Sequence, residues 1–131
     1  MKIMLDTNVL VSTIFFPNTQ TSIFLDKLFA DARNEIVLCD YVIEELRTVV
    51  LRKFPAQRDA IDIFFYELPF TLVPTHVPSK DTPSMRDSYD EPILATALAE
   101  NVDVLVTGDK DFHALNITKP LICTIADFCE L

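Results

Sequence analysis

The chain has 131 residues, half of them apolar, which is enough for one well-filled core and too few for two. Its net charge of −9, from 20 acidic and 11 basic residues, opposes contact with a polyanion unless something neutralises the acids locally. The lone glycine, Gly108, excludes the G-x-G-x-x-G dinucleotide loop and the P-loop, so no nucleotide cofactor is expected. Charged residues interrupt every apolar run well before the roughly 18 residues of a membrane span, and the opening apolar segment is too short for a secretory signal. A cytoplasmic protein is expected. Cys39, Cys123 and Cys129 form no C-x-x-C pair and read as reduced core thiols, neither a disulfide framework nor a thiolate zinc site. His76 and His113 stand apart, which gives no support to a histidine metal site or a Ser-His-Asp triad.

Lys2–Leu5 reads as a short buried strand, after which Asp6-Thr7-Asn8 supplies capping residues for a helix over 9–16 that ends at Pro17. Ile23, Phe24, Leu28 and Phe29 predict a second helix over 21–32. Glu35–Cys39 is the next strand, Asp40 is placed to cap a third helix through Lys53, and Pro55 opens a fourth through Glu67. Residues 70–73 form a strand. Pro78 and Pro83, among Ser, Thr and Asp, make 75–88 an exposed loop, and a helix then runs to Glu100. A strand at 102–106, a turn at Thr107-Gly108-Asp109, a short helix at 110–115, the strand Leu121–Cys123 and a final turn capped by Thr124 complete the chain. Strands and helices alternate without repeat or linker. That order predicts a single α/β domain over 1–131, with a parallel sheet, helices on both faces and ligands bound beyond the carboxyl ends of the strands.

Asp6 ends the first strand, Asp109 follows the strand at 102–106, and Asp90 stands where a loop enters a helix. All three are expected to project from one edge of the sheet. Glu44 and Glu45 are adjacent, and helical geometry separates them. Val42, Ile43, Leu46, Val49, Val50 and the aliphatic stem of Lys53 define one helix face. At about 100° per residue, Glu44 lies nearly opposite that face and Glu45 at its border, beside the sheet. Asp90, on a helical continuation, shares a face with Ile93, Leu94, Ala97 and Leu98, where an unpaired carboxylate is costly. Each acid also has a plain structural reading: Asp6 as a cap, Asp90 as a complement to a helix dipole, Asp109 as a turn residue. Jointly they would repel one another unless cations neutralised them, and Mg²⁺ is typically held by a few carboxylates plus water. Ser88-Tyr89-Asp90-Glu91 matches a capping box, which assigns Glu91 to a cap but leaves Pro92 at the fourth helical position, where a backbone bond is lost.

At these residues the chain resembles the PIN-domain ribonucleases and, more narrowly, the VapC-type bacterial toxins. The resemblance runs through Ile3-Met4-Leu5-Asp6-Thr7-Asn8-Val9-Leu10 with Ser12, then Glu44-Glu45-Leu46, then Asp90-Glu91-Pro92-Ile93-Leu94-Ala95-Thr96-Ala97, then Leu105-Val106-Thr107-Gly108-Asp109-Lys110-Asp111-Phe112. It covers essentially the whole chain. It implies a three-layer α/β/α fold with a central parallel sheet of about five strands, a Mg²⁺- or Mn²⁺-dependent phosphodiesterase acting on RNA, frequent homodimerisation and, in toxins, inhibition by an antitoxin. It also implies that Asp6, Glu45, Asp90 and Asp109 are the metal-holding catalytic acids, with Asn8, Thr107 and Asp111 as auxiliary residues. Glu44 is the alternative to Glu45, and Asp87 is a further acid near Asp90. The cation would acidify water for in-line attack on a phosphodiester, leaving Arg47, Arg52, Lys53, Arg58, Arg86 and Lys110 for other phosphate contacts.

Three competing readings are weaker. A haloacid-dehalogenase-like phosphatase also has an Asp after its first strand and an acidic motif like Gly108-Asp109, but Asn8 stands where its second Asp belongs. A receiver domain needs a phosphoacceptor Asp that residues 70–74 lack. A non-catalytic PIN-like binding domain would be expected to have lost acids that this chain keeps. Phe64-Phe65-Tyr66 are consecutive and cannot all face one interior, so at least one is expected at the surface as part of an interface.

Overall fold

The computed structural model describes residues 1–131. Five strands form one parallel sheet: β1 (Lys2–Leu5), β2 (Glu35–Cys39), β3 (Thr71–Val73), β4 (Val104–Val106) and β5 (Leu121–Cys123), in the order β3-β2-β1-β4-β5. Ile3 pairs with Ile36 on one side and Val104 on the other, and Leu5 pairs with Val106. Ile3, Met4 and Leu5 are buried, as are all three residues of β4, because central parallel strands are covered on both faces and need apolar side chains throughout. Helices flank the sheet on both sides, giving the expected three-layer α/β/α architecture. The chain winds outward from β1 to β3, then returns to the far side of β1 for β4 and β5. A crevice therefore opens between the carboxyl ends of β1 and β4, where the direction of winding reverses.

Seven helices join the strands, and local chemistry sets their ends. α1 (Thr7–Phe15) begins at the Asp6 cap. α2 (Thr19–Ala30) starts two residues earlier than its apolar pattern predicts, because the Thr21 N–H donates to Asn18 Oδ1 (2.9 Å) and the Asn18 N–H donates to Thr21 Oγ1 (2.8 Å). α3 (Asp40–Lys53) has Asp40 as its first residue and not as its cap; the Asp40 carboxylate accepts from the N–H groups of Tyr41 and Thr75, tying the helix to the segment after β3. The single helix expected from Pro55 is a 3-10 turn (Pro55–Gln57) followed by α4 (Asp59–Glu67).

The entry to α5 (Glu91–Ala99) also departs from expectation. Ser88 and Glu91 form no capping box. Asp87 accepts from the Tyr89 N–H at the head of a 3-10 turn (Ser88–Asp90), while Glu91 Oε1 accepts from the Met85 N–H. Since α5 begins only at Glu91, Pro92 lies in its first turn, where no helical hydrogen bond is lost. Asp90 therefore belongs to the turn before the helix. At the far end, Asn101 adopts φ 54° in place of a glycine, and the N–H groups of Asn101 and Val102 close onto Leu98 and Ala97 carbonyls. The remaining helices, α6 (Lys110–His113) and α7 (Ile125–Cys129), are capped by Asp109 and Thr124.

A contiguous apolar cluster joins the sheet to Val9 and Leu10 of α1, Val42, Leu46 and Val50 of α3, and Ile93, Leu94 and Ala97 of α5. α7 packs on α2 with Phe128 edge-on to Phe24 at 5.3 Å, both rings fully buried, each contributing about 1.5–3 kcal/mol of transfer free energy. Cys39 and Cys123 are buried free thiols, whereas Cys129 is only partly buried. On α4, Phe64 and Phe65 pack on the core while Tyr66 is 93% exposed. No helix is long and apolar enough to cross a membrane.

Candidate active site

The β1–β4 pairing continues one residue past the strands, where the Asp6 N–H donates to the Val106 carbonyl at 3.1 Å. Asp6 is thereby delivered to the carboxyl edge of the sheet, only 4% exposed. Its Oδ1 accepts from the Thr7 N–H (2.7 Å), and its Oδ2 accepts from Thr107 Oγ1 (2.8 Å) and Asn8 Nδ2 (3.1 Å). Burial nonetheless pushes the carboxyl up from 3.8 to about 6; the Thr107 and Thr7 hydrogen bonds oppose the rise, and Glu45 and Asp109 add to it.

Thr107 and Asn8 lock the two sides of the crevice together. Thr107 Oγ1, besides donating to Asp6, accepts from the Asp109 N–H (3.0 Å), and Asn8 Oδ1 accepts from the Gly108 N–H (3.0 Å). The first turn of α1 and the turn after β4 are thus one hydrogen-bonded unit. Asp109 Oδ1 accepts from the Asp111 N–H, and the oxygens of Asp90, Asp109 and Asp111 lie within 4.8 Å of one another. Asp90 is pushed up to about 7, first by burial and then by the Asp109 carboxyl beside it, with Asp6 and Asp87 contributing.

Asp6, Glu45, Asp90 and Asp109 line one cleft of about 390 Å³ together with Asn8. Glu45 is half-buried there while Glu44 is exposed, as the helical face of α3 predicts. Asp111 lies beside Asp90 and Asp109, and both its oxygens accept from Arg86 Nε (2.9 and 3.1 Å). Asp87 caps the turn that contains Asp90 and is felt there electrostatically without lining the cleft. A larger cavity of about 480 Å³ lies at the opposite, amino edge of the sheet among Leu28, Ile36 and Phe70, away from this centre.

Several residues in or beside the cleft carry no sequence signal of a site role. Tyr41, one turn before Glu45 on α3, donates its hydroxyl to the Tyr89 carbonyl (2.6 Å), and its phenol is pushed up by burial and then by Glu45 and Asp90. Thr7 lines the cleft and keeps a buried Oγ1 with no hydrogen-bond partner. Val11, Phe16 and Val49 form an apolar stretch of the wall. Among the His, Cys, Asp and Glu side chains, those lining the cleft are all carboxylates; His113 faces the Thr107 carbonyl from outside it (2.8 Å). Such an all-oxygen set suits a hard divalent cation such as Mg²⁺ or Mn²⁺.

A parallel α/β fold with a carboxylate-lined cleft at its switch point defines the class of protein. The PIN domain family model matches residues 2–111, and the chain belongs to the PIN domain family. No curated protein matches it. Among solved structures, it is similar to VapBC2 from Rickettsia felis bound to a DNA fragment from their promoter, with TM-score 0.72 and 24% identity over 94% of this chain and 97% of that one. FitAcB from Neisseria gonorrhoeae is similar with TM-score 0.67 and 20% identity, over 95% of this chain and 98% of that one. Mycobacterium tuberculosis VapC20, described as a sarcin-ricin loop cleaving toxin, aligns with TM-score 0.59 and 15% identity over 89% and 97% of the two chains. At these identities the likeness is one of fold.

Proposed function

We propose that the chain is a Mg²⁺- or Mn²⁺-dependent endoribonuclease, acting as a single catalytic unit and as the toxin of a toxin–antitoxin pair. The observation that carries this reading is the convergence of Asp6, Glu45, Asp90 and Asp109 on one cleft, with Asp6 and Asp90 held above the ordinary carboxylate range. Carboxylates crowded in this way favour a site that gains positive charge. A bound divalent ion supplies Lewis-acid polarisation of a phosphodiester and activation of water.

The chain's own residues do the holding and aiming. Asp6, Glu45, Asp90 and Asp109 hold the cation. Thr107 and Asn8 fix the orientation of Asp6, and Asp111 is an auxiliary carboxylate beside Asp90 and Asp109. Neutralising these acids turns the most acidic patch of a protein of charge −9 into its phosphate-binding one. The likeness to VapC20 supports RNA as the substrate.

Incubation of the pure protein with structured and unstructured RNA in Mn²⁺, Mg²⁺ or EDTA, beside Asp6→Asn, tests the reading. Cleavage that needs both the metal and Asp6 is expected; undiminished cleavage by Asp6→Asn or in excess EDTA overturns it. The toxin assignment is tested separately, by whether the product of a small adjoining reading frame suppresses RNA cleavage. Exposed Ile63 and Tyr66 on α4 support a homodimer, for which a clean monomer mass in light scattering at micromolar concentration is the adverse result.

A further inference from the structure

Asn8, Ser12 and Phe16 follow one another at every fourth position along α1 and its C-terminal cap, and Glu45, Val49 and Lys53 repeat that spacing along α3. The two helices pack together, and these six residues line the same cleft as Asp6, Asp90 and Asp109. Eight residues of helix rise about 12 Å, so the cleft has two ends. One is acidic. The other carries an aromatic ring, an apolar wall and a cation.

The ring is held in place and open at once. Phe16 is 58% exposed, yet Phe54 packs edge-on against it at 5.7 Å and is itself stacked on Phe15 at 4.6 Å. Little further ordering is needed when a flat ligand settles on a ring already held this way. Lys53 is exposed and enters none of the six ion pairs of the fold.

Resting on the ribonuclease reading above, we propose that this distal end is a nucleoside subsite: one unpaired base of single-stranded RNA stacks on Phe16 beside Val11 and Val49, and its flanking phosphate contacts Lys53. The scissile phosphate then lies at the carboxylates. A base offers the π-face that an exposed ring accepts whatever its identity, and the neighbouring phosphate offers the charge that Lys53 lacks. A paired base has its faces covered by stacking in the duplex, so the subsite selects loops and unpaired ends. The cation at this end, continuous with a phosphodiester site, favours a nucleotide over an apolar peptide.

The test is binding of an eight-nucleotide single-stranded RNA carrying 2-aminopurine to the Asp6→Asn protein, read by anisotropy and by quenching of the base. Adding Phe16→Leu, which keeps apolar bulk and removes the ring, is expected to weaken binding about 10-fold and relieve the quenching. Phe16→Trp restores both. Lys53→Ala is expected to weaken binding several-fold at low salt and to lower the slope of log affinity against log salt by about 0.7. Affinity and quenching unchanged in Phe16→Leu and Lys53→Ala overturn the subsite, as does a loss in Phe16→Leu that Phe16→Trp fails to restore. RNA binding retained while the same variants lose a protein partner assigns the groove to protein and also overturns it. A protein with neither substitution nor the Asp6→Asn background that cleaves no RNA in Mn²⁺ overturns the ribonuclease reading itself, so the two failures are distinct.

Discussion

Thr107 Oγ1 donates to Asp6 Oδ2 at 2.8 Å across 101 residues of sequence, and this contact joins the ends of β1 and β4 beneath the cleft. Thr107→Val keeps the shape and removes the donor, so the Asp6 carboxylate loses the hydrogen bond that most restrains its rise. The acid limb of the pH–rate profile is expected to move up by roughly one pH unit, and Mn²⁺ affinity to fall several-fold. Thr107→Ser keeps the donor and restores both. A profile that stays in place in Thr107→Val removes Thr107 from the positioning role.

Stability of the metal-free protein is expected to fall as pH rises from about 4 to 8. Asp6 and Asp90 titrate near 6 and 7 when folded and near 3.8 when unfolded, so between those limits the native state binds more protons than the unfolded chain. For buried Asp6 the displacement corresponds to about 3 kcal/mol. Asp40, Asp103 and Asp127, lowered chiefly by hydrogen bonds, pull the other way only below about pH 4. Urea titrations at pH 5 and 8 with EDTA check the sign, and Asp6→Asn is expected to flatten the difference. Saturating Mn²⁺ should reverse the trend, since protons and cation compete for the same oxygens.

Glu44 and Glu45 differ by about 100° around α3, and only Glu45 faces the cleft. Glu45→Gln is expected to lower cleavage at least 10-fold in limiting Mn²⁺, while Glu44→Gln stays within about twofold, as for an exposed charge. Parallel kinetics on the two variants decide it. Equal losses would reassign the metal-facing acid.

Arg86 occupies both oxygens of Asp111. Its guanidinium sits largely in solvent, so Arg86→Ala is expected to leave stability nearly unchanged. The same change frees Asp111 and deletes a positive charge near Asp109, so Mn²⁺ should bind a few-fold more tightly. Calorimetric titration reads this directly, and weaker Mn²⁺ binding in Arg86→Ala would count against it.

The strand ends carrying Asp6 and Asp109 were legible because an apolar run of parallel-strand length, broken by one acid, states its own boundary. Glu45 was legible because the apolar face of α3 has a period. Contacts made from the loop before α5 have none. The Arg86–Asp111 pair spans 25 residues and the Tyr41–Tyr89 bond 48, with no repeating pattern to announce either. The start of α2 is hidden in sequence because its capping box uses Thr21 where a Glu or Gln is the usual sign. The start of α5 is ambiguous in sequence because Ser88 and Glu91 mimic a cap that Asp87 and the Met85 N–H displace.

The strand order has a consequence for synthesis. β1, β2 and β3 are neighbours and leave the ribosome in sequence, so that half of the sheet can pair while translation continues, at roughly 5–20 residues per second. β4, the other neighbour of β1, arrives about a hundred residues later. Until then the second edge of β1, with Ile3, Met4 and Leu5, stays open to solvent or to another strand. Asp6 has no Thr107, Asp90 or Asp109 beside it during that interval. The cleft therefore does not exist while the first hundred residues are made, and Asp6 and Asp109 are brought together in one late event, when β4 inserts beside β1.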